Sequence, residues 1–281
     1  MKIALAPTFC AWGQTEANFE RHERLMCRAA DRNADVVLFP ETSIHGLWKD
    51  HMVRMVAEPL DGLVVRRMRA LARQHGIAVG FGFAERTAAK PLNSWVLLDR
   101  RGRRLVSYRK NYPTGLERDY WRPHTRRPVL SLLGTKTAVT ICADSYHDEL
   151  WRSYRRRGVR LLLMPHAWDA DPILRDDSEI GFSSMAHLVD TYARDRVARH
   201  RNHDEMLERF VAMLAPRCRE HGMWAAFVNQ VGQPHPLIPF VGPAFVIDPS
   251  GKVVTQTQSD GEQLLLVDLP GQAMAMAGLS K

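Results

Sequence analysis

The stretch TAVTICADSYHDELW (137–151) carries a buried strand, a thiol and the start of a helix in immediate succession. Its first half, TAVTICA, is β-branched and apolar on both faces, the pattern of a strand covered on each side. An acidic, aromatic turn follows. DELWRSYRRRG (148–158) then takes up helical spacing, with its charges off the apolar stripe. Cys142 stands at the junction. A strand cysteine can be a small packing residue. A thiol near a helix N-terminus and a lysine instead has its pKa lowered and its thiolate favoured, which makes a nucleophile.

The same succession recurs along the chain. Short apolar runs predict strands at 2–7, 35–40, 76–85, 94–99, 104–109, 159–165, 224–230, 243–249 and 263–269. Amphipathic helices are expected over 16–33, where Phe19, Leu25, Met26 and Ala29 fall near one stripe, and over 63–76, with Gly76 as C-cap. DRRG (99–102) and DPSG (248–251) carry hairpin turn chemistry. Alternating βαβ units mixed with antiparallel hairpins, and no dividing linker, give one mixed α/β domain over 1–270, with two sheets and helices outside. Residues 168–215 form a long polar connection whose second part has a helical pattern; a connection of that length is expected to be a lid or an interface element. Residues 271–281 form a small-residue tail.

Two further strand ends carry reactive side chains. Glu41 follows VVLFP, where a water-excluding core raises a carboxylate's pKa and suits it to general base work. A cap or a surface-loop acid is the plainer reading of the same residue. Lys110 ends RLVSYRK, and a fixed ammonium there can stabilise a developing oxyanion, although a strand-end lysine can also simply be solvated. Three such groups, each on the C-terminal lip of a strand, can converge on one cleft.

Taken together, FPE with Glu41, YRKNYP with Lys110 and ICADSYHDE with Cys142 resemble the Glu-Lys-Cys motifs of the carbon–nitrogen hydrolase (nitrilase) superfamily. LNSWVLLDRRG, REHGMWAAFVNQVG (219–232) and VGPAFVIDPSGKVV (241–254) also look like family segments. The resemblance implies a four-layer α-β-β-α sandwich with two mixed sheets, usually assembled as a homodimer or higher homo-oligomer. It implies a cysteine hydrolase acting on a small molecule, with no metal and no organic cofactor. Glu41, Lys110 and Cys142 would be catalytic, with Glu117 as the additional active-site glutamate. Thr42, Tyr112, Ala143, Tyr146, His166 and Trp168 are expected to meet the substrate, Ala143 through its backbone N–H.

Cys142-Ala143-Asp144 looks more like the amidase and N-carbamoyl amidohydrolase branches than the Cys-Trp-Glu of true nitrilases. The expected substrate is therefore a small linear amide or N-carbamoyl compound, cleaved through a thioester acyl-enzyme. A nitrile substrate, acyl transfer to an amine and a non-catalytic binding role are the alternatives. The chain departs from the family pattern at Asp148 (usually proline), His124 (commonly glycine), His166 (usually small) and Pro216, which is expected to interrupt a helix. Arg175 is a candidate clamp for a substrate carboxylate.

Composition bounds the remaining possibilities. With 45% hydrophobic and 25% charged residues the chain has ample material for a core. No apolar run approaches a membrane span, and the apolar part of MKIALAPTF is too short for a signal peptide. Four widely spaced cysteines without a CxxC pair predict reduced thiols and a cytoplasmic protein, with Cys10, Cys27 and Cys218 as packing residues. The net charge of +8 raises nucleic-acid binding, but it sits in arginine clusters such as DRRGRR (99–104) without any nucleic-acid-binding signature, so a solvated arginine-rich surface is expected.

Overall fold

Strands that are apolar on both faces need cover on both sides, and the computed structural model supplies it with two sheets packed face to face, each backed by helices. The structure describes residues 1–47, 51–115, 117–168, 203–235 and 238–270. The first sheet contains β1 (Lys2–Leu5), β2 (Val36–Leu38), β3 (Ala78–Glu85), β4 (Leu92–Leu98), β5 (Arg104–Arg109) and β14 (Leu265–Asp268), in the order β14-β1-β2-β3-β4-β5. The second contains β6 (Val129–Leu132), β7 (Thr135–Val139), β8 (Leu161–Pro165), β9 (Trp224–Val228), β12 (Ala244–Ile247) and β13 (Val253–Gln256), in the order β13-β12-β9-β8-β7-β6. A separate hairpin pairs β10 (Val231–His235) with β11 (Ile238–Val241).

Both sheets are mixed and share one pattern of directions. β1, β2 and β3 are parallel, as are β7, β8 and β9. Antiparallel strands complete each side. The helices are α1 (Thr15–Asp31), α2 (Val53–Val56), α3 (Leu63–His75), α4 (Glu117–Tyr120), α5 (Asp148–Arg156) and α6 (His203–His221). Among the described residues, no helix is long and apolar enough to cross a membrane.

Side-chain alternation sorts the strands between layers. Val36 and Leu38 of β2, with Leu161 and Leu163 of β8, enter the core between the sheets. Val37 faces outward to α1 and α3, where it meets Leu25, Met26 and Met68. Leu162 and Met164 face outward to α5 and α6, against Trp151, Tyr154 and Phe210. These three buried clusters establish the expected α-β-β-α sandwich. The stripe expected on α1 is the buried one, and Gly76 closes α3 in the left-handed region at φ 63°. Asp99 accepts backbone N–H bonds from Arg101 and Arg103 in the β4–β5 turn.

Three features depart from the sequence reading. β7 stops at Val139, so Cys142 lies beyond the strand, in a 3-10 turn. The edge strands β6 and β13 and the β10–β11 hairpin lie outside the predicted runs; β6 and β13 are only partly buried and lack a two-sided apolar pattern. Pro216 does not interrupt its helix, because α6 continues through it to His221. The missing N–H removes one helical bond. Burial of Met206, Leu207, Phe210, Leu214 and Cys218 along that helix holds it together, and Arg217 Nη1 donates to the Met213 carbonyl at 2.7 Å beside the proline. Residues 203–215 of the expected lid or interface segment are therefore part of a helix packed on the second sheet. The rest of that segment, with Arg175, lies outside the described residues, as does the 271–281 tail.

Candidate active site

The fold directs the predicted strand ends to one edge. β5 runs in the direction of β2, because two antiparallel steps separate it from β3. Glu41, just after β2, and Lys110, directly after β5, therefore leave the first sheet on the same side. Cys142 leaves the second sheet after β7.

Small residues on β3 make room for the Glu41 turn. The inward-facing positions of β3 are Ala78, Gly80 and Gly82. A Cβ on Gly82 would lie 2.2 Å from the Thr42 nitrogen, and one on Gly80 would lie 2.0 Å from the Trp95 ring. Thr42 then turns sharply, with φ 48°, and Trp95 Nε1 donates to the Phe39 carbonyl at 3.0 Å. The GFGF segment thus lets the chain after β2 fold back over its neighbour.

Lys110 is the centre of the site. Its Nζ donates to Glu41 Oε1 at 2.9 Å and to Glu117 Oε2 at 2.7 Å, with all three groups buried. Asn93 Nδ2 donates to Glu41 Oε1 at 2.6 Å, and the Ala167 N–H donates to Glu41 Oε2 at 2.8 Å. Glu117 also accepts the Thr114 N–H at 2.9 Å. Burial pushes the Glu41 carboxyl above its ordinary value, with Lys110 opposing and Glu117 adding to the rise. Burial alone would push the Lys110 ammonium down, but Glu117 and Glu41 outweigh it and keep it charged.

Cys142 is buried and opens its turn with φ 47°, an uncommon conformation for a residue with a side chain and one that gathers at functional sites. The expected lowering of its pKa does not occur. Burial pushes the thiol well above its ordinary range, Glu41 adds to that, and Lys110 only partly opposes it. Burial outweighs the lysine, and α5, the helix expected to favour a thiolate, begins only at Asp148, after the intervening turn. A neutral thiol beside a buried carboxylate needs a base, and Glu41 is the carboxylate whose charge bears on it most strongly.

Asp144 ties the lysine loop to the cysteine turn. Its Oδ1 accepts the Asn111 and Tyr112 N–H groups at 3.0 and 2.8 Å. Its Oδ2 accepts the Tyr108 hydroxyl at 2.8 Å and the Ile141 N–H at 3.1 Å. Burial pushes this carboxyl up to about 7, against these donors. At pH 8, an Asp144→Asn variant would aim an amide N–H₂ at buried donors whichever way it turned. The expected loss is about 2 kcal/mol of stability by urea unfolding, with a lower kcat; unchanged values for both would show that the clamp is not needed.

The other expected contacts divide. Ala143 follows the thiol in the turn and is buried. Tyr146 packs edge-on against Trp168, with ring centres 5.2 Å apart, and His166 lies fully buried just after β8. Thr42 is buried, and its Oγ1 accepts from Gln230 Nε2 at 3.3 Å. Tyr112 is tied to the site by its backbone, while its ring stacks on His147 at 3.6 Å and its hydroxyl accepts from Arg127. Asn93, Ala167, Asn229 and Gln230 join the site without being among the residues expected from the sequence. Asn93 is a polar residue inside the apolar run of β4, and Asn229-Gln230 closes β9; those interruptions were the available signal. Asn229 brackets Trp168, accepting its N–H at 2.8 Å and donating to its carbonyl at 3.0 Å.

A protected thiol, a buried base and a fixed ammonium can together form and break an acyl–sulfur bond, the work of a cysteine hydrolase. Residues 3–201 match the family model described as carbon-nitrogen hydrolase, and the chain belongs to that family. It is 26% identical over 260 residues to an (R)-stereoselective amidase from a Pseudomonas species, covering 92% of this chain and 82% of that protein. It is 29% identical over 276 residues to a glutamine-dependent NAD(+) synthetase from Xylella fastidiosa, covering 95% of this chain but 44% of that longer protein. The fold resembles that of an amidase from Nesterenkonia sp. AN1 whose active-site cysteine carries the acetamide moiety of fluoroacetamide. That likeness has a TM-score of 0.76 at 23% identity and covers 96% of this chain and 90% of that one.

Proposed function

We propose that the protein hydrolyses the C–N bond of a small linear amide or N-carbamoyl compound, with Cys142 as nucleophile, Glu41 as general base and acid, and Lys110 as oxyanion partner. The observation that carries this reading is the buried Glu41–Lys110–Glu117 bridge, whose charges all bear on the Cys142 thiol.

Glu41 takes the proton from Cys142, and the sulfur attacks the carbonyl carbon. The resulting oxyanion is met by Lys110 and by the Ala143 N–H. Glu41 returns the proton to the departing nitrogen, so ammonia or an amine leaves and a thioester forms on Cys142. Glu41 then takes a proton from water. The hydroxide adds to the thioester, the carbon–sulfur bond breaks, and the acid product and the thiol are restored. Glu117 holds Lys110 in place, since it accepts a bond from the same ammonium. Tyr146, His166, Trp168 and Thr42 form the substrate pocket. The similarity to the (R)-stereoselective amidase across most of this chain supports an amide over a nitrile.

A panel of linear amides, N-carbamoyl amino acids and nitriles, assayed for ammonia release, tests the reading. Wild type is expected to turn over at least one amide or carbamoyl compound, and Cys142→Ala none. Turnover of nitriles alone, or equal turnover by the variant, would refute it.

A further inference from the structure

Two buried polar atoms lack a hydrogen-bond partner among the described residues: the Tyr146 hydroxyl, in the turn that Cys142 opens, and Nε2 of His166, the residue before the Ala167 N–H that Glu41 accepts. His166 Nδ1 lies 3.0 Å from the Met164 carbonyl, which can only accept. The ring proton therefore sits on Nδ1. Burial pushes the His166 pKa down to about 3, so the ring is neutral and Nε2 presents a bare lone pair. It can be satisfied only by a donor.

Both atoms border one aromatic wall. The His166 ring centre lies 5.9 Å from that of Phe210, Phe210 lies 5.7 Å from Trp168, and Trp168 lies 5.2 Å from Tyr146. The charge of Lys110 reaches both His166 and Tyr146, and Tyr146 also senses Cys142. The Arg209 guanidinium stands 6.0 Å from the Trp168 ring centre and acts on Tyr146 as well. The wall is thus apolar in its body, bordered by charges of both signs, since Glu41 acts on Tyr146 as well as Lys110 and Arg209, and supplied with one obligate acceptor.

Resting on the amide-hydrolase reading above, we infer that the acyl group of the preferred substrate carries a neutral hydrogen-bond donor, a hydroxyl or an amide or ureido N–H, which His166 Nε2 accepts, with the Tyr146 hydroxyl as a second contact. An ammonium donor is disfavoured, because one neutral acceptor in an apolar wall does not offset the loss of its hydration. A buried site built to bond a substrate hydroxyl or N–H discriminates against the analogue without it, since its own polar groups are then left unpaired. His166 and Tyr146 are specificity-determining residues on this inference, while the bond-breaking groups are unchanged.

Matched amides test it: propionamide against 2-hydroxypropionamide, 3-hydroxypropionamide and 3-aminopropionamide, with kcat/KM measured for each. In wild type, at least one hydroxy amide is expected to exceed propionamide by at least about tenfold, and the amine to fall below propionamide. His166→Phe and Tyr146→Phe are each expected to lower the hydroxy-to-propionamide ratio, and His166→Phe to bring it close to one. A merely structural histidine would lower all the rates and leave the ratio alone. Equal wild-type values for hydroxy amides and propionamide, or a ratio retained in both variants, would overturn the inference and leave amide hydrolysis standing. If none of the four amides is turned over or leaves an acyl mass on Cys142 while the wider panel above finds an N-carbamoyl or other amide substrate, the inference falls and the hydrolase reading stands; if that panel also gives no such turnover, both fall. The wild-type ratios and Tyr146→Phe decide the matter even if His166→Phe does not fold.

Discussion

Glu41→Gln is expected to lower kcat by about 10²–10⁴-fold while leaving Cys142 and Lys110 in place, the range for loss of a positioned general base. The thiol is held protonated by burial, so turnover depends on a group that can remove that proton. Glutamine cannot. It can still accept one of the bonds now made to Glu41, either from Ala167 or from Lys110 and Asn93, so the variant should fold at a cost of about 1–3 kcal/mol. The pH profile gives the same test in another form. On the proposed mechanism catalysis needs Glu41 ionised, so activity should be lost as pH falls through its pKa. Burial raises that pKa, which places the acid limb above the ordinary 4.5. An acid limb at or below 4.5, or one that persists unchanged in the residual activity of Glu41→Gln, would remove Glu41 from the base role.

Lys110→Met should affect both stability and activity. The ammonium is the shared partner of two buried carboxylates. Removing one member of a buried ionic cluster leaves charge without compensation, and the expected loss is about 3–5 kcal/mol at neutral pH. The sign of its pH dependence follows from linkage. Without the cation, the folded-state pKa of Glu41 lies further above its unfolded value, so the folded variant binds more protons than the unfolded chain. Its stability is then greatest at low pH and is lost as pH rises through that folded-state value. Denaturant unfolding of the variant and wild type at pH 5.5 and pH 8 should show a gap that widens at the higher pH. A gap that narrows would mean that the two carboxylates do not depend on Lys110. Activity should also vanish, because the oxyanion loses its cation and Glu41 loses its position.

The sequence and the structure agree most closely where a pattern is local. All nine other predicted apolar runs and TAVTI mark strands, and in β1 to β4, β8, β9 and β12 the reason is that a strand buried on both faces must be apolar at successive positions. Phe19, Leu25, Met26 and Ala29 mark the buried face of α1 for the analogous reason at helical spacing. Edge strands β6 and β13 escaped, since half-exposed segments follow no such constraint. Pro216 misled because a local preference against helix is smaller than the packing of a whole helix face.

By itself, the sequence determined the α-β-β-α class and the identity of Glu41, Lys110, Glu117 and Cys142 as candidates, since each rests on residue type, local flank and family motif. Only the tertiary structure decided how those groups are charged and held. The Cys142 thiol is raised rather than lowered, because its ionisation is governed by burial and by Glu41, residues apart in sequence but close in space. Asp144, legible in the sequence only as an acid after the nucleophile, proved to join two loops through four donors brought from different strands and turns. The lone pair of His166 became visible only when its other nitrogen was seen on the Met164 carbonyl. Burial and long-range hydrogen bonding are properties of the packed chain, and no local window of TAVTICADSYHDELW contains them.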